Sequence, residues 1–146
     1  VSPDVHIQLI DPSEQGWRSI FTFGPTGPRA VTGSIKLLNR WIKVFMTPVN
    51  SHPVRRNEGT KFSSLIRSNV NFSLVQPDIL EAVDDATEQV RAEDRRTPSR
   101  PPDEAIQSAT VVRFNLVGAS GVEFWVEVIN MLGERVRVLF PYASRR

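Results

Sequence analysis

The chain has 146 residues, 18 Lys and Arg against 16 Asp and Glu, and no cysteine. That length suits one domain with one real core, and the missing cysteine excludes disulfides, thiolate catalysis and Cys-based metal sites. No apolar run approaches the ~20 residues of a membrane span, and a net charge of +2 with acids interleaved among the bases lacks the one-signed stripe of a nucleic-acid groove.

Residues 1–32 are expected to form an N-terminal extension or arm, and 33–146 the domain proper. The opening VSPDVHIQLIDP has neither the basic nor the apolar segment of a signal peptide. The chain begins on Val1 rather than Met, so processing or trimming is expected. Residues 5–10 alternate apolar and polar side chains, which predicts a short strand or extended arm. Asp11-Pro12-Ser13 breaks it. In GWRSIFTF, Trp17, Phe21 and Phe23 form an aromatic patch suited to docking the arm on its own domain or on a neighbour. The run GPTGP then ends any regular structure.

The first helix is predicted over 34–46. Thr32 or Ser34 can cap it by accepting a free N–H of its first turn. Ile35, Leu38, Trp41, Ile42 and Phe45 recur at three- and four-residue steps and predict one buried stripe. Lys36, Asn39, Arg40 and Lys43 form the wet face, and Pro48 stops the helix. Residues 50–59 read as a loop. Phe62, Leu65 and Ile66 are spaced for one short helical turn. A long helix follows from Pro77 to about Glu93, with Ile79, Ala82, Val83, Ala86 and Val90 inward. Its acids sit early and Arg91, Arg95 and Arg96 late, which suits the helix dipole. Residues 97–103 are a Pro-rich linker.

The rest reads as strands over 110–117, 122–129 and 134–140, rich in Val, Phe, Ile and Leu. Gly133 suits the left-handed position of a three-residue hairpin loop. That loop sets Val126 opposite Val138 and Val128 opposite Val136 on one face. It sets Glu127 opposite Arg137 on the other, a pair worth roughly 0.2–1 kcal/mol. The predicted fold is α+β, with two to three helices packed on a small antiparallel sheet that ends in a C-terminal β-hairpin.

Catalytic signatures are weak. A glycosidase needs two carboxylates across a cleft. Asp84, Asp85 and Glu88 fall on the polar side of a helix, and Glu123 and Glu127 face an arginine-bearing strand. His6 and His52 have no second His or Cys at metal-ligand spacing. No GxSxG marks a nucleophile, and Gly27 to Ser34 lacks the Lys of a phosphate loop. The expectation is a protein that is not an enzyme and carries no cofactor and no metal. Trp41 and Trp125 read as core or near-core residues.

The segments GSIKLLNRWIKVFMT, SHPVRRNEGTKFSSLI, DILEAVDDATEQV, ATVVRFNLV, EFWVEVI and RVRVLFPY, in this order, resemble the baseplate wedge or sheath-initiator proteins of contractile phage tails. Relatives of that family belong to the type VI secretion baseplate, and some of its members have been labelled lysozymes. The resemblance covers roughly residues 33–140. The family's Glu-Pro-Arg motif is present only in altered form, as Glu93-Asp94-Arg95-Arg96 with Pro98 or as Pro102-Asp103-Glu104. The resemblance implies a structural virion protein that anchors the sheath and nucleates it by strand exchange with the first sheath ring. The alternative is a peptidoglycan-degrading, lysozyme-type baseplate enzyme. Implied partners are the tail sheath protein, baseplate wedge subunits and tail tube or hub proteins, in a ring of six copies, with no nucleic acid and no membrane. The implied location is the tail baseplate of the virion, assembled in the host cytoplasm. On this reading Val122, Phe124, Val126, Val128, Arg135, Arg137 and Leu139 meet the sheath. Arg55, Arg56, Glu93, Arg95, Arg96 and Glu104 meet the wedge.

Overall fold

The computed structural model of the protein describes residues 33–67, 75–117 and 121–143, and the backbone of four short strands at 7–10, 17–20, 23–24 and 27–28. The strands are β1 (Ile7–Ile10), β2 (Trp17–Ile20), β3 (Phe23–Gly24), β4 (Gly27–Pro28), β5 (Ile106–Val117), β6 (Gly121–Asn130) and β7 (Arg135–Ala143). The helices are α1 (Gly33–Met46), α2 (Phe62–Arg67) and α3 (Gln76–Arg96). The architecture is α+β, as the sequence predicts. An antiparallel sheet runs in the order β2-β1-β7-β6-β5, and β3 pairs with β4 in a separate ribbon. α1 lies against β6 and β7, α3 lies against β5, and the two helices pack on each other.

The hairpin follows the predicted register: Val126 pairs with Val138, Val128 with Val136 and Glu127 with Arg137. Gly133 has φ +82°, a backbone conformation that L side chains rarely adopt. Asn130, which the sequence reading passed over, organises this turn. It is fully buried, and its Oδ1 accepts from the Leu132 and Glu134 N–H groups at 3.0 and 2.9 Å. Its Nδ2 donates to the Asp103 carbonyl at 3.0 Å, tying the hairpin tip to the Pro-rich linker.

β5 begins four residues earlier than the pattern predicts, because the register shifts twice, between Ile106 and Ser108 and between Val111 and Arg113. Each bulge breaks the two-residue alternation that a periodicity reading needs. β7 runs past Phe140 through Pro141. That proline lies beyond the two residues, Arg137 and Val138, that pair with β1, a place where a sheet tolerates it.

The core lies between the sheet and the helices. Trp41, Phe45, Phe62 and Phe124 are fully buried, with Phe140 nearly so. Phe45 stacks on Trp41 and Phe62 with ring centroids 4.9 and 4.4 Å apart, and Phe124 stacks on Phe140 at 5.1 Å. Each buried side chain of this size contributes roughly 1.5–3 kcal/mol, and favourable ring pairs add about 0.5–1.5 kcal/mol. The Trp41 indole N–H donates to Thr87 Oγ1 at 3.1 Å, and the Thr87 hydroxyl donates to the Val83 carbonyl at 2.8 Å. Leu37 and Val44 are buried beside the predicted stripe of α1, because that helix is covered by the sheet on one side and by α3 on another.

Candidate functional site

Three features could carry function: the edge of the sheet, a knot of charges joining α1 to α3, and a cleft between a loop and α3.

The sheet corrects the expected sheath contacts. Val122, Phe124, Val126 and Val128 of β6 are all in the core, and β6 is paired along both sides. Neither these four side chains nor the backbone of β6 is open to another chain. The reason is topological: β5 and β7 flank it, and only a strand at the end of the order keeps a free edge. Arg135, Arg137 and Leu139 lie on the outer face of β7. There Glu127, itself only 6% exposed, accepts from Arg137 Nε at 2.8 Å and lies 3.7 Å from Arg135. Trp125 also belongs to the outer face, opposite Leu139 on β7 and Arg113 on β5, and is half-buried there rather than in the core.

The outermost strand on the described domain side is β5. Its first polar groups are taken by α3. The Ile106 N–H donates to Asp94 Oδ2 at 2.8 Å, and Arg91 Nη2 donates to the Gln107 carbonyl at 2.9 Å. Beyond them, Val112 and Leu116 are 43% and 53% exposed.

Arg40 organises the charge knot. Its Nη1 donates to the Glu104 carbonyl at 2.9 Å, and its Nη2 donates to Asp94 Oδ1 at 2.8 Å and lies 3.4 Å from Glu93 Oε2. Arg100 enters from the linker, with Nη2 3.3 Å from Glu93 Oε1. Its Nε lies 3.1 Å from Asp94 Oδ1, close enough for attraction but out of line for a hydrogen bond. The Glu104 side chain points to the start of α1. It pairs with Lys36 Nζ at 2.8 Å and accepts from the Gly33 N–H. The Lys36 hydrogen bond and charge hold the Glu104 carboxyl below its ordinary value of 4.5, against the opposing effect of burial. Glu104 therefore serves as the acidic partner of the α1 N-terminus. This corrects its expected place at a wedge surface: a carboxylate that is 6% exposed and bonded within its own domain is not offered to a partner. It also supplies what Thr32 or Ser34 was expected to supply, Thr32 lying outside the described residues.

The third feature is a half-open cleft of about 360 Å³. Val44 and Ala92 supply apolar surface, Gln89, Glu93 and Arg96 line it from α3, and the loop segment 54–58 closes the other side. Arg55, Arg56, Glu93 and Arg96, four of the expected wedge residues, meet here although some 40 residues of sequence separate the loop pair from the helix pair. Arg95 does not join them; it points away, 3.8 Å from Glu88. The loop is held in shape. The Gly59 N–H donates to Gln89 Oε1 at 2.9 Å and Gln89 Nε2 donates to the Gly59 carbonyl at 2.7 Å. His52 Nδ1 accepts from the Val54 and Arg55 N–H groups at 3.2 and 3.0 Å. That nitrogen is thereby engaged in a loop staple. Gln89 carried no sequence signal, since a polar residue on a helix reads as solvated.

The carboxylates weighed as a glycosidase pair do not converge. Asp84, Asp85 and Glu88 are exposed on α3, whereas Glu127 is clamped by arginines on the opposite side of the sheet. The two glutamates that do share the cleft, Glu58 and Glu93, each pair with arginine, Glu58 with Arg55 and Glu93 with Arg40 and Arg100. Among the described residues no group of three or more His, Asp or Glu is placed to hold a metal, and no helix is long and apolar enough to cross a membrane. His6 and Phe21 lie outside the described residues, as do the side chains of Trp17 and Phe23, so the arm-docking expectation falls outside them too. No protein-family profile, curated protein or solved structure matches this chain.

Proposed function

We propose that this chain is a structural, non-enzymatic protein of a contractile phage tail: a baseplate wedge component that anchors the sheath and nucleates it by accepting strands from the first sheath ring. Its neighbours on this reading are the sheath protein, wedge subunits and tube or hub proteins. The observation that carries the reading is the outer edge of β5. It is a long strand at the end of the sheet order, among the described residues α3 bonds its polar groups at its start, and Val112 and Leu116 stand exposed along the rest. An open edge with apolar side chains is a hazard in a free protein and a binding site in an assembly. An added strand gains main-chain hydrogen bonds from the edge and selectivity from alternate side chains. The segment order that resembles the sheath-initiator family supplies the identity of the strand donor.

The test blocks the edge without touching the core. Val112→Lys and Leu116→Lys together place charge on exposed positions, a common way to protect an edge from pairing. Tails assembled with this variant are expected to show complete baseplates lacking sheath in electron micrographs. Sheaths of normal length, attached as in the unaltered tail, would overturn strand acceptance at β5.

A further inference from the structure

We infer that the cleft between the 54–58 loop and α3 is a docking site for an acidic peptide segment of another protein, one that sets a carboxylate side chain next to an aliphatic one. The inference rests on the cleft itself and not on the tail assignment, although it gives the expected wedge contacts of Arg55, Arg56, Glu93 and Arg96 a common place.

The charges of the cleft are unevenly satisfied. Both lining carboxylates are engaged: Glu93 by Arg40 and Arg100, and Glu58 by Arg55 at 3.9 Å. Among the described residues Arg56 and Arg96 form no ion pair and no side-chain hydrogen bond, and both are exposed at the mouth. Two guanidinium groups, one on the loop and one on the helix, therefore face a cavity whose own anions are already paired with other arginines. Such groups bind carboxylates through paired N–H donors.

The apolar part is equally defined. Val54 stands 84% exposed on the rim and Val44 closes the floor. A loop tip that carries so exposed a valine would ordinarily be mobile. Here Gln89 and His52 fix it, so Val54, Arg55 and Arg56 are presented in one arrangement, which lowers the entropy cost of binding.

A dense phosphate anion or a nucleic-acid backbone fits less well. Glu58 and Glu93 interleave with the arginines, and among the described residues no aromatic side chain lines the cleft to stack a base. The volume of about 360 Å³ accommodates a few side chains of a chain passing across the opening, at the small end of ligand pockets.

The experiment titrates the isotopically labelled full chain with the capped hexapeptide acetyl-Leu-Glu-Leu-Asp-Leu-Glu-amide and follows amide resonances. Controls are the same peptide with Gln and Asn in place of the acids, and inorganic phosphate. Saturable shifts confined to residues 54–59 and 89–96, absent with the neutral peptide, are expected. The exposed double variant Arg56→Ala, Arg96→Ala should keep the spectrum of a folded protein and weaken binding by about tenfold or more. Arg135→Ala, on the outer face of the sheet, should leave binding unchanged. No saturable shift, equal binding of the neutral peptide, equal response to phosphate, or full binding by the double variant would each overturn the inference. None of these results depends on whether β5 accepts a sheath strand.

Discussion

Gln89 on α3 and Gly59 in the loop exchange two hydrogen bonds across thirty residues of sequence, at 2.9 and 2.7 Å. The side-chain amide pairs with one residue's N–H and C=O as a neighbouring strand would. The loop can come this close because Gly59 has φ +110° and no Cβ. A Cβ built there would lie 2.3 Å from the Thr47 carbonyl oxygen, a backbone atom that cannot simply rotate aside.

Gly59→Ala is therefore expected to destabilise the protein by about 2–4 kcal/mol, combining left-handed strain with a displaced backbone. Gly133→Ala provides the comparison. It has φ +82° but nothing within 4 Å of the added methyl, so only the conformational term of about 1 kcal/mol applies. Urea unfolding of the two variants separates the effects. Equal losses would show that the Thr47 contact does not constrain the loop.

Asp94 joins three elements: α1 through Arg40, the linker through Arg100 and the start of β5 through the Ile106 N–H. Its side chain is 13% exposed, as is that of Arg100, and that of Arg40 is 15% exposed. Removing the shared acid leaves two largely buried cations short of a partner. Asp94→Ala is expected to cost about 3–5 kcal/mol in urea unfolding. Arg91→Ala, which loses the bond to the Gln107 carbonyl from an exposed position, should cost about 1 kcal/mol. A loss under 1 kcal/mol for Asp94→Ala would mean the knot adds little to the packing of α1 on α3.

Glu104 predicts a pH dependence. Its carboxyl is held below 4.5 in the fold, so the unfolded chain binds the proton more readily in that window. Stability from Glu104 is then fully present above pH 4.5 and declines as the pH falls through the folded value. The stability gap between the wild type and Glu104→Gln should be widest near pH 7 and narrow below pH 4.5. A gap of constant size down to pH 3 would mean that the Lys36 pairing does not favour the ionised form.

Much of the fold is legible in residue order because local rules govern it. The stripe Leu38, Trp41, Ile42 and Phe45 specifies α1, and Ile79, Ala82, Val83, Ala86 and Val90 specify α3, since one helix face must leave water. The hairpin register follows from Gly133 and the alternation on both strands, because a one-residue slip would turn Val126 and Val128 outward. The early start of β5 was hidden by its bulges, at which the period of two fails.

The placement of interaction surfaces depended on tertiary structure. Sequence marks Val122, Phe124, Val126 and Val128 as a strand rich in apolar residues but cannot say which strand lies in the middle of the sheet. Strand order puts β6 inside and leaves β5 at one edge, with β2 at the other. Likewise Glu93 and Glu104 look alike as acids near a Pro-rich linker. Only the fold brings Glu104 under Lys36 at the start of α1, and brings Glu93 and Arg96 beside Arg55 and Arg56. Periodicity reports which face of an element is buried. Which charged residues meet across forty or more positions is set by how the elements pack, and that is a property of the whole chain.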